Sequence, residues 1–375
     1  MRISSAFDGG NIIVEQAAAA SDIRLAIAKD NQSDFYQWFY FRLSGGRGQE
    51  CRVTLTNAGG AAYAHGWQDY RVCASYDREL WFRIDTHYDG SALSWTHRPD
   101  KDAVYYAYFA PYSMERHADL VAEIAQAPGV RLTVLGSTLD GQDLDMLTIG
   151  AAGEGKKACW IIARQHPGET MAEWWMEGAL ERLTDPDDPV TKALLEKCVF
   201  YIVPNMNPDG SRRGHLRTNA VGANLNREWE TPTAERSPEV LLVRNKMDET
   251  GVDFCLDVHG DEALPYNFIA GFDGVPSVTA HMEQALADYV AALARLSPDF
   301  QTTHGYPRAK PGEANMTMCT NQVAARFSCL AMTLEMPFKD NAERPDALEG
   351  WSPARARHLA RACLDALHAV VDDLP

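Results

Sequence analysis

Three short stretches of the chain place metal-binding or acid–base side chains directly after apolar runs. "RQHPGE" follows "CWIIA" and supplies His166 and Glu169, "DVHGDE" follows "FCL" and supplies His259, and "TLEMPF" supplies Glu335 at the end of the run that starts at Leu330. A strand that is buried on both faces has little reason to end in His or Glu. The pattern predicts three strand ends that converge above one edge of a sheet.

His166, Glu169 and His259 match the donor set of a hydrolytic zinc site. Such a site uses three nitrogen or oxygen ligands and keeps one position open for water. Gly168 allows a tight turn between the two near ligands, and Pro167 stiffens it. Taken singly, each residue has an ordinary structural explanation as well. A lone histidine is most often a hydrogen-bonded core residue, and a glutamate at a helix start is stabilised by the helix dipole.

Glu335 is the candidate proton shuttle. Amide hydrolysis at a metal needs a base that later returns its proton, and burial keeps the pKa of a carboxyl from falling too low for that task. Glu262 in "HGDE" is a weaker rival, because it lies three residues beyond His259 in a predicted loop. Asp257 shares a strand face with His259 and either orients that ligand or makes a structural hydrogen bond.

The stretch "NMNPDGSRRGHLRTNAVGANLNREW", residues 205–229, has neither helical nor strand periodicity. Long irregular stretches inside compact domains are often functional. It contains Arg212, Arg213, Arg217 and Arg227. Arginine binds carboxylates through two parallel hydrogen bonds, so the stretch indicates a clamp for a free C-terminal carboxylate. For Arg212 and Arg213, a solvated basic loop is the simpler interpretation.

From about residue 113 onward, strand-like runs alternate with longer helical patterns, which predicts an α/β domain with a largely buried sheet. The predicted strands are Arg131–Leu135, Asp145–Ile149, Ala158–Ala163, Val199–Val203, Phe254–Val258, Asn267–Ala270 and Leu330–Glu335. The predicted helices are Thr170–Leu183, Pro238–Glu249, Ser277–Leu296 and Pro353–Val371. Sites in such domains lie on loops at the strand ends.

The preceding residues have a different character. Short runs rich in Val, Thr, Tyr, Phe and Trp, such as "QWFYFRL", "CRVTLTN" and "AVYYAYFA", recur between turn signals such as "SGGRG" and "YDGS". This pattern predicts an antiparallel β-sandwich. We therefore expect two domains, a sandwich over residues 1–112 and a catalytic α/β domain over residues 113–375.

Composition excludes several classes of function. The chain of 375 residues carries 52 acidic and 35 basic residues, for a net charge of −17. A chain this acidic binds poorly to nucleic acids and to anionic membranes, because like charges repel each other. Its eight cysteines include no C-x-x-C pair and are expected to be reduced, and no signal peptide or membrane span is evident. We expect a cytoplasmic protein that binds neither nucleic acid nor membrane.

Five motifs in order, "HPGE", "NMNPDG", "NLNREW", "DVHG" and "TLEMPF", resemble those of the zinc metallocarboxypeptidases, and in particular the cytosolic carboxypeptidase subgroup of the carboxypeptidase A-like superfamily. The spacings are 3 residues from His166 to Glu169, 90 from Glu169 to His259 (259 − 169) and 76 from His259 to Glu335 (335 − 259). The resemblance implies a mixed central sheet flanked by helices, and "QWFYFRL" with "YFAPYS" resembles the sandwich that precedes the catalytic domain in the subgroup.

The resemblance also implies roles. His166, Glu169 and His259 match the ligands of one zinc ion per chain, and Glu335 matches the general base and acid. The substrate would be a peptide or a protein tail with a free C-terminus. Its terminal peptide bond would be cut by water.

Further roles concern the substrate. Asn226 and Arg227 match the pair that holds the terminal carboxylate, and Arg217 matches the arginine that stabilises the oxyanion. Members that remove glutamate use basic residues upstream of the catalytic glutamate. Arg326 is the one basic residue in "TNQVAARFSC", so we expect it to bind substrate and to favour acidic C-terminal residues. Tyr306 and Tyr266 are the two candidates for the tyrosine that closes over substrate in carboxypeptidase A-like enzymes.

Two other functions are compatible with the metal set. One is a small-molecule amidase of the aspartoacylase type, acting on N-acyl amino acids, which the long sandwich and the complete "NLNREW" disfavour. The other is a non-catalytic zinc-binding protein that recruits a partner. The intact Glu335 and the arginines disfavour it, because a dead site has no physical need for them. The oligomeric state is not evident from the sequence.

Overall fold

A computed structural model describes all residues, 1–375. Residues 1–112, here called the N-terminal region, form two five-stranded sheets. Their strands are β1 (Arg2–Ser4), β2 (Ile13–Ala19), β3 (Asp22–Ala26), β4 (Tyr40–Ser44), β5 (Cys51–Leu55), β6 (Val72–Ser75), β7 (Phe82–Ile84), β8 (Thr86–Tyr88), β9 (Leu93–His97) and β10 (Ala103–Ala107). Short 3-10 helices cover Ala58–Gly60 and Ala64–Trp67.

The two sheets pack face to face through aromatic side chains. One sheet has the order β1-β4-β10-β6-β7 and the other the order β2-β3-β5-β9-β8. The ring of Trp95 on β9 lies 6.3 Å from that of Phe41 on β4 and 5.5 Å from that of Tyr106 on β10. The predicted sandwich is thereby confirmed. One detail differs: all strand pairs are antiparallel except β3 and β5, which run parallel.

Residues 113–375, here called the C-terminal region, form a seven-stranded sheet flanked by helices. The strands are β11 (Val130–Ser137), β12 (Asp143–Ile149), β13 (Lys157–Ala163), β14 (Cys198–Val203), β15 (Phe254–Asp261), β16 (Phe268–Ala270) and β17 (Leu330–Pro337). The helices are α1 (Met114–Ile124), α2 (Met171–Leu183), α3 (Pro189–Lys197), α4 (Pro208–Arg213), α5 (Pro238–Thr250), α6 (Ala280–Leu296), α7 (Cys319–Phe327) and α8 (Pro353–Val370). None of the helices combines the length and the apolar composition that crossing a membrane requires.

The sheet order β11-β12-β14-β13-β15-β17-β16 places four parallel strands at its centre and antiparallel strands at its edges. The mixed α/β sheet that the sequence predicted is confirmed. Because β13, β15 and β17 are adjacent and parallel, their carboxyl ends meet at one edge of the sheet. The register pairs His259 directly with Glu335 across β15 and β17. Sheet geometry thus brings together residues that are far apart in the sequence.

Four helices, α1, α3, α4 and α7, lie outside the predicted ones. The six-residue α4 falls within residues 205–229, where the sequence shows no periodicity, because so short a helix cannot display one. Local capping defines it instead. Asn207 accepts a hydrogen bond from the Gly210 amide, and Gly214 ends the helix with a φ of +71°. Only glycine adopts such a left-handed conformation without strain.

One hydrophobic core extends through both regions. Phe338, which follows β17, stacks on Tyr108 of the N-terminal region with a centroid distance of 4.4 Å, and both rings are fully buried. The guanidinium of Arg83 donates to the backbone carbonyls of Phe338, Lys339 and Trp351 at 2.8–3.2 Å. Because the regions share core and polar contacts, we expect them to unfold together.

Phe338→Ala should lower the free energy of unfolding by about 3–5 kcal/mol, since it empties a buried ring site between the two regions. Urea unfolding followed by circular dichroism and by tryptophan fluorescence measures this loss. The control is Leu348→Ala, because Leu348 is 65% exposed. An equal loss from the control, or a loss below about 1 kcal/mol from Phe338→Ala, would contradict this role of the ring.

Candidate active site

Three potential metal ligands converge at the carboxyl edge of the sheet. His166 and Glu169 lie between β13 and α2, and His259 lies on β15; all three are at least 96% buried. The Nδ1 atom of His166 is 2.6 Å from Glu169 Oε1, and Nδ1 of His259 is 2.8 Å from Glu169 Oε2. One donor atom from each residue lies within 4.8 Å of the other two. The structure therefore brings together the three residues that the sequence predicted as ligands.

The outer ring nitrogens of both histidines are already engaged. Nε2 of His166 is 3.0 Å from Asn224 Oδ1, and Nε2 of His259 is 2.9 Å from Asp257 Oδ2. Asp257 also accepts a hydrogen bond of 2.6 Å from Gln165. An amide oxygen or a carboxylate only accepts, so each Nε2 carries the proton and each Nδ1 lone pair faces the cluster. Two neutral imidazoles and one carboxylate fit a zinc ion.

The pKa directions differ between the two histidines. Burial and the nearby Arg217 lower the pKa of His166 to about 3, which keeps that imidazole neutral. Burial opposes the charge on His259, but Asp257 and Glu169 outweigh it and raise its pKa, which favours the charged ring; a zinc ion would have to replace the proton on its Nδ1. Burial likewise opposes the charge on Glu169, but the two histidines lower its pKa. Glu169 is the anion of the cluster.

A buried ionic network supports the turn that carries His166. Arg164, at the end of β13, has a left-handed φ of +62° and donates from Nε to the carbonyl of Pro167 over 3.0 Å. Its Nη1 lies 2.5 Å from Glu173 on α2, and the other oxygen of Glu173 is 2.6 Å from Nδ1 of His117 on α1. Two helices and one strand end are thereby joined behind the ligands.

Glu335 lies beside the ligands, on the strand next to His259. Its Oε1 accepts a hydrogen bond of 3.1 Å from the Tyr306 hydroxyl, and its buried Oε2 has no partner. Burial raises the pKa of Glu335 well above its ordinary value. The Tyr306 hydroxyl oxygen also lies 2.7 Å from Asp261 Oδ2, so its one proton is shared between the two carboxyls. One carboxylate oxygen of Glu335 is therefore free to accept a proton.

The structure distinguishes the two candidate tyrosines. The side chain of Tyr306 reaches Glu335, although the residue as a whole remains 46% exposed. Tyr266 instead stacks on His304 with a centroid distance of 4.1 Å. Tyr306 is thus the tyrosine that meets the proposed catalytic carboxyl.

Arg217 has a guanidinium with no hydrogen-bond acceptor in the chain. Its Nε is buried without a partner, and its guanidinium carbon lies 5.6 Å from the ring centre of Phe35 and 5.3 Å from that of Tyr63. Burial opposes its charge, but Tyr63 and the carboxyls of Glu262, Glu169 and Glu335 raise the pKa of Arg217. Glu262, the rival base, is also buried, and burial raises its pKa.

Asn226 and Arg227 lie on a 3-10 helix, Leu225–Arg227. The Asn226 side-chain oxygen accepts the Cys319 amide over 2.8 Å, and Nη1 of Arg227 donates to the Asn226 carbonyl over 2.6 Å. Burial and repulsion from Arg217 lower the pKa of Arg227. Two arginines that repel each other, with unused N–H groups, form a favourable site for an anion such as a carboxylate.

Arg326 does not reach this site, contrary to the prediction that it binds substrate. It lies in the last turn of α7, and its guanidinium forms a bidentate pair with Asp248 on α5 at 2.6 and 2.7 Å. The chain passes from α7 into the amino end of β17, and from α5 into the amino end of β15. The ligands lie at the carboxyl ends of these strands. Arg326 lies close to Glu335 in residue number, but residue number does not show in which direction the helix runs.

Several residues of the site were not predicted from the sequence. Asn224 belongs to the "NLNREW" stretch and could have been found there, whereas Gln165 and Asp261 are polar neighbours of ligand motifs without a pattern of their own. Phe35 and Tyr63 come from the N-terminal region, more than 100 residues before His166. Only tertiary packing identifies them.

Comparisons with known proteins agree with the geometry. The family model described as "Cytosolic carboxypeptidase N-terminal domain" matches residues 3–109, and that described as "Zinc carboxypeptidase" matches residues 118–343. A metallo-carboxypeptidase from Pseudomonas aeruginosa, solved in complex with (2-guanidinoethylmercapto)succinic acid, is 46% identical with a TM-score of 0.98, and 100% of each chain is covered. A metallo-carboxypeptidase from Burkholderia cenocepacia is 48% identical with a TM-score of 0.97, and 99% of each chain is covered.

Cytosolic carboxypeptidase 1 of Mus musculus is 30% identical over 64% of this chain and 23% of its own length, so the chain spans about a quarter of that relative. The chain belongs to the zinc carboxypeptidase family, which confirms the resemblance seen in its motifs. It is a metallocarboxypeptidase, a hydrolase of the exopeptidase type.

His117 should make stability depend on pH. Burial opposes its charge, but Glu173 and Asp145 raise its pKa to about 9. A raised histidine pKa adds stability below the ordinary value of about 6.5, and that stability is lost as pH rises through 9. In urea unfolding, the free energy of unfolding of the wild type should exceed that of His117→Gln. This difference should be larger at pH 6 than at pH 9.5 by up to about 3 kcal/mol. The same difference at both pH values would contradict the assignment.

Asp257→Asn should weaken zinc binding about 10- to 100-fold, because it removes the carboxylate that holds Nε2–H of His259. Competition with a chromogenic chelator measures the affinity. Asp253→Asn is the matched control, since Asp253 precedes the same strand at its opposite end and accepts the Ala158 amide over 2.7 Å. Equal zinc affinity in Asp257→Asn and wild type would refute the orienting role.

Proposed function

We propose that this member of the zinc carboxypeptidase family binds one zinc ion through His166, Glu169 and His259 and releases the C-terminal residue of a peptide or protein tail. The observation that carries the proposal is the direction of the lone pairs: both Nδ1 atoms and the Glu169 carboxylate face one point, while both Nε2–H groups are bonded outward. A zinc ion held there supplies Lewis-acid polarisation of the scissile carbonyl and of the attacking water.

Glu335 acts as the general base and then as the general acid. Its unpaired Oε2 takes a proton from the attacking water and returns it to the leaving amine. The raised pKa supports the second half of this cycle, because a more basic carboxylate holds the proton until the amine accepts it. Tyr306 orients the other oxygen through its hydroxyl.

Arg217 stabilises the negative charge that develops on the carbonyl oxygen, since its guanidinium is half-buried, cationic and without an acceptor. Arg227 and the side-chain amide of Asn226 hold the terminal carboxylate. The Oδ1 atom of Asn226 is bound to the Cys319 amide, which leaves the NH₂ group as the donor towards substrate. In this arrangement the scissile peptide bond lies between Asn226 and Arg227, which hold the terminal carboxylate, and Arg217, which stabilises the oxyanion.

The identity of the released residue depends on the side-chain pocket. A preference for glutamate was expected from Arg326, and the pairing of that residue with Asp248 removes this support. We therefore propose free peptide C-termini as the substrate class. A peptide that ends in glutamate is one of the substrates to be tested. No nucleic acid or membrane partner is part of the proposal.

We place the boundary between a sandwich domain and the catalytic domain at residues 112 and 113, where Ser113 caps α1 by accepting the Arg116 amide. We propose the cytoplasm as the location, because all eight cysteines are unpaired and buried, as in a reducing compartment.

Glu335→Gln should lower kcat/KM about 10²- to 10⁴-fold and leave zinc affinity unchanged, since the amide cannot accept the proton of water. Glu196→Gln, on the exposed face of α3, is the matched control. The measurement is release of the C-terminal residue from a peptide library, with zinc and with chelator. Full activity of Glu335→Gln would exclude this residue as the base.

Different substrates distinguish the carboxypeptidase from the two alternative functions. Peptides ending in Glu, Leu or Lys with a free carboxylate should be cleaved, and the same peptides with a C-terminal amide should not, because the clamp has no anion to hold. Cleavage of the amides would refute the clamp. Turnover of N-acyl amino acids without any peptide would favour the amidase, and zinc binding without any turnover would favour the non-catalytic protein.

A further inference from the structure

The N-terminal region bonds directly to the loop that carries Arg217, residues 214–222, here called the arginine loop. Asn11 Nδ2 donates to the Gly214 carbonyl over 2.9 Å. Asn31 donates from its backbone amide to Nε2 of His215 over 3.0 Å and from its side chain to the Ala220 carbonyl over 2.6 Å. Both ends of the arginine loop are therefore fixed by residues that precede their partners in the loop by 184 to 203 positions.

Asp30 holds the centre of the arginine loop. Its carboxylate, on a residue only 3% exposed, accepts the backbone amides of Leu216 at 2.7 Å, Arg217 at 2.8 Å and Thr218 at 2.9 Å. The Thr218 hydroxyl adds a fourth hydrogen bond at 3.0 Å. Successive backbone N–H groups that converge on one anion form a rigid arrangement. The backbone of Arg217 is thus fixed by a charge from the other region.

The same turn supplies an aromatic wall for the Arg217 side chain. The Asp30 amide donates to the Phe35 carbonyl over 2.9 Å, and the Phe35 ring centre lies 5.6 Å from the guanidinium carbon of Arg217. The second ring, Tyr63, is held by Gln37, which accepts its amide over 2.8 Å and donates to its carbonyl over 3.1 Å. Two rings of the N-terminal region therefore lie next to the guanidinium.

This arrangement fixes a cation without using its hydrogen bonds. A carboxylate paired directly with Arg217 would occupy the N–H groups that an oxyanion needs. Asp30 bonds to the backbone instead, and the aromatic faces attract the guanidinium through its charge. The side chain stays in place with its donors available.

We propose that Asp30 is a positioning residue for Arg217, and that the N-terminal region is in this way part of the catalytic apparatus. The proposal rests on the role of Arg217 in the proposed function. Displacement of a catalytic group by about 1 Å can cost about 100-fold in rate. Loss of Asp30 should therefore act on catalysis through the arginine loop, without removing any group that touches substrate.

The test compares Asp30→Ala and Asp30→Asn with the control Asp8→Asn. Asp8 is also a carboxylate of the N-terminal region that accepts a backbone amide of the C-terminal region, that of Met114 at 2.6 Å, but it does not bond to the arginine loop. Hydrogen–deuterium exchange of the peptide that covers residues 214–222 should rise in Asp30→Ala and stay unchanged in Asp8→Asn. Unchanged exchange in Asp30→Ala would overturn the proposal.

A double-mutant cycle provides the catalytic readout. Asp30→Ala should lower kcat/KM about 10- to 100-fold, mainly through kcat, and Arg217→Ala should lower it about 10²- to 10³-fold. In the Arg217→Ala background, Asp30→Ala should cost less than about twofold, because its effect passes through the missing arginine. If Asp30→Ala does not fold, Asp30→Asn, which keeps the shape and one acceptor, takes its place in the cycle.

The outcomes separate this inference from the proposed function. A loss from Asp30→Ala that is equally large with and without Arg217 would refute the positioning role alone. An equal loss from Asp8→Asn would refute it as well, since general weakening of the contact between the regions would then explain the result. Full activity of Arg217→Ala would refute the oxyanion role of Arg217 in the proposed function, and the positioning proposal with it.

Discussion

Two imidazoles and one carboxylate are buried together at the carboxyl edge of a parallel sheet, and the other polar contacts of the site depend on the cost of burying them. A buried charge or lone pair needs a partner. Asn224 and Asp257 satisfy the outer nitrogens of His166 and His259. The Nδ1 atoms of both histidines and the Glu169 carboxylate then have only one another, or a bound ion, as partners. The orientation of both rings follows from these outer bonds, and the chemistry of the site follows from the orientation.

The sheet supplies the precision that such a cluster requires. Adjacent parallel strands keep a fixed register, so that His259 and Glu335 face each other across β15 and β17. The turn after β13 brings His166 and Glu169 to the same edge, and the buried network of Arg164, Glu173 and His117 holds that turn. Strands carry His259 and Glu335, and a turn held by buried ion pairs carries His166 and Glu169, while irregular segments carry the groups proposed to bind substrate.

Local charge at the site opposes the charge of the whole chain. The net charge of −17 repels anions at long range, yet Arg217 and Arg227 lie close enough to repel each other and have unused donors. Solvent screens distant charges within about 8 Å at physiological salt, so the nearby cations dominate at the site. An acidic surface is thus compatible with a substrate that ends in a carboxylate. The N-terminal region takes part in this balance through Asp30, Phe35 and Tyr63.

The sequence by itself determined the fold class and the residues that could form a metal site. Those features depend on local patterns: strand-length apolar runs, the residues that end them, and five motifs in order. It could not decide between Tyr306 and Tyr266, and it placed Arg326 at the site when that residue lies at the opposite edge of the sheet. It gave no sign of Asp30. These questions were decided by the tertiary structure, because the direction of a helix and a contact between residues 30 and 217 depend on packing across the whole chain.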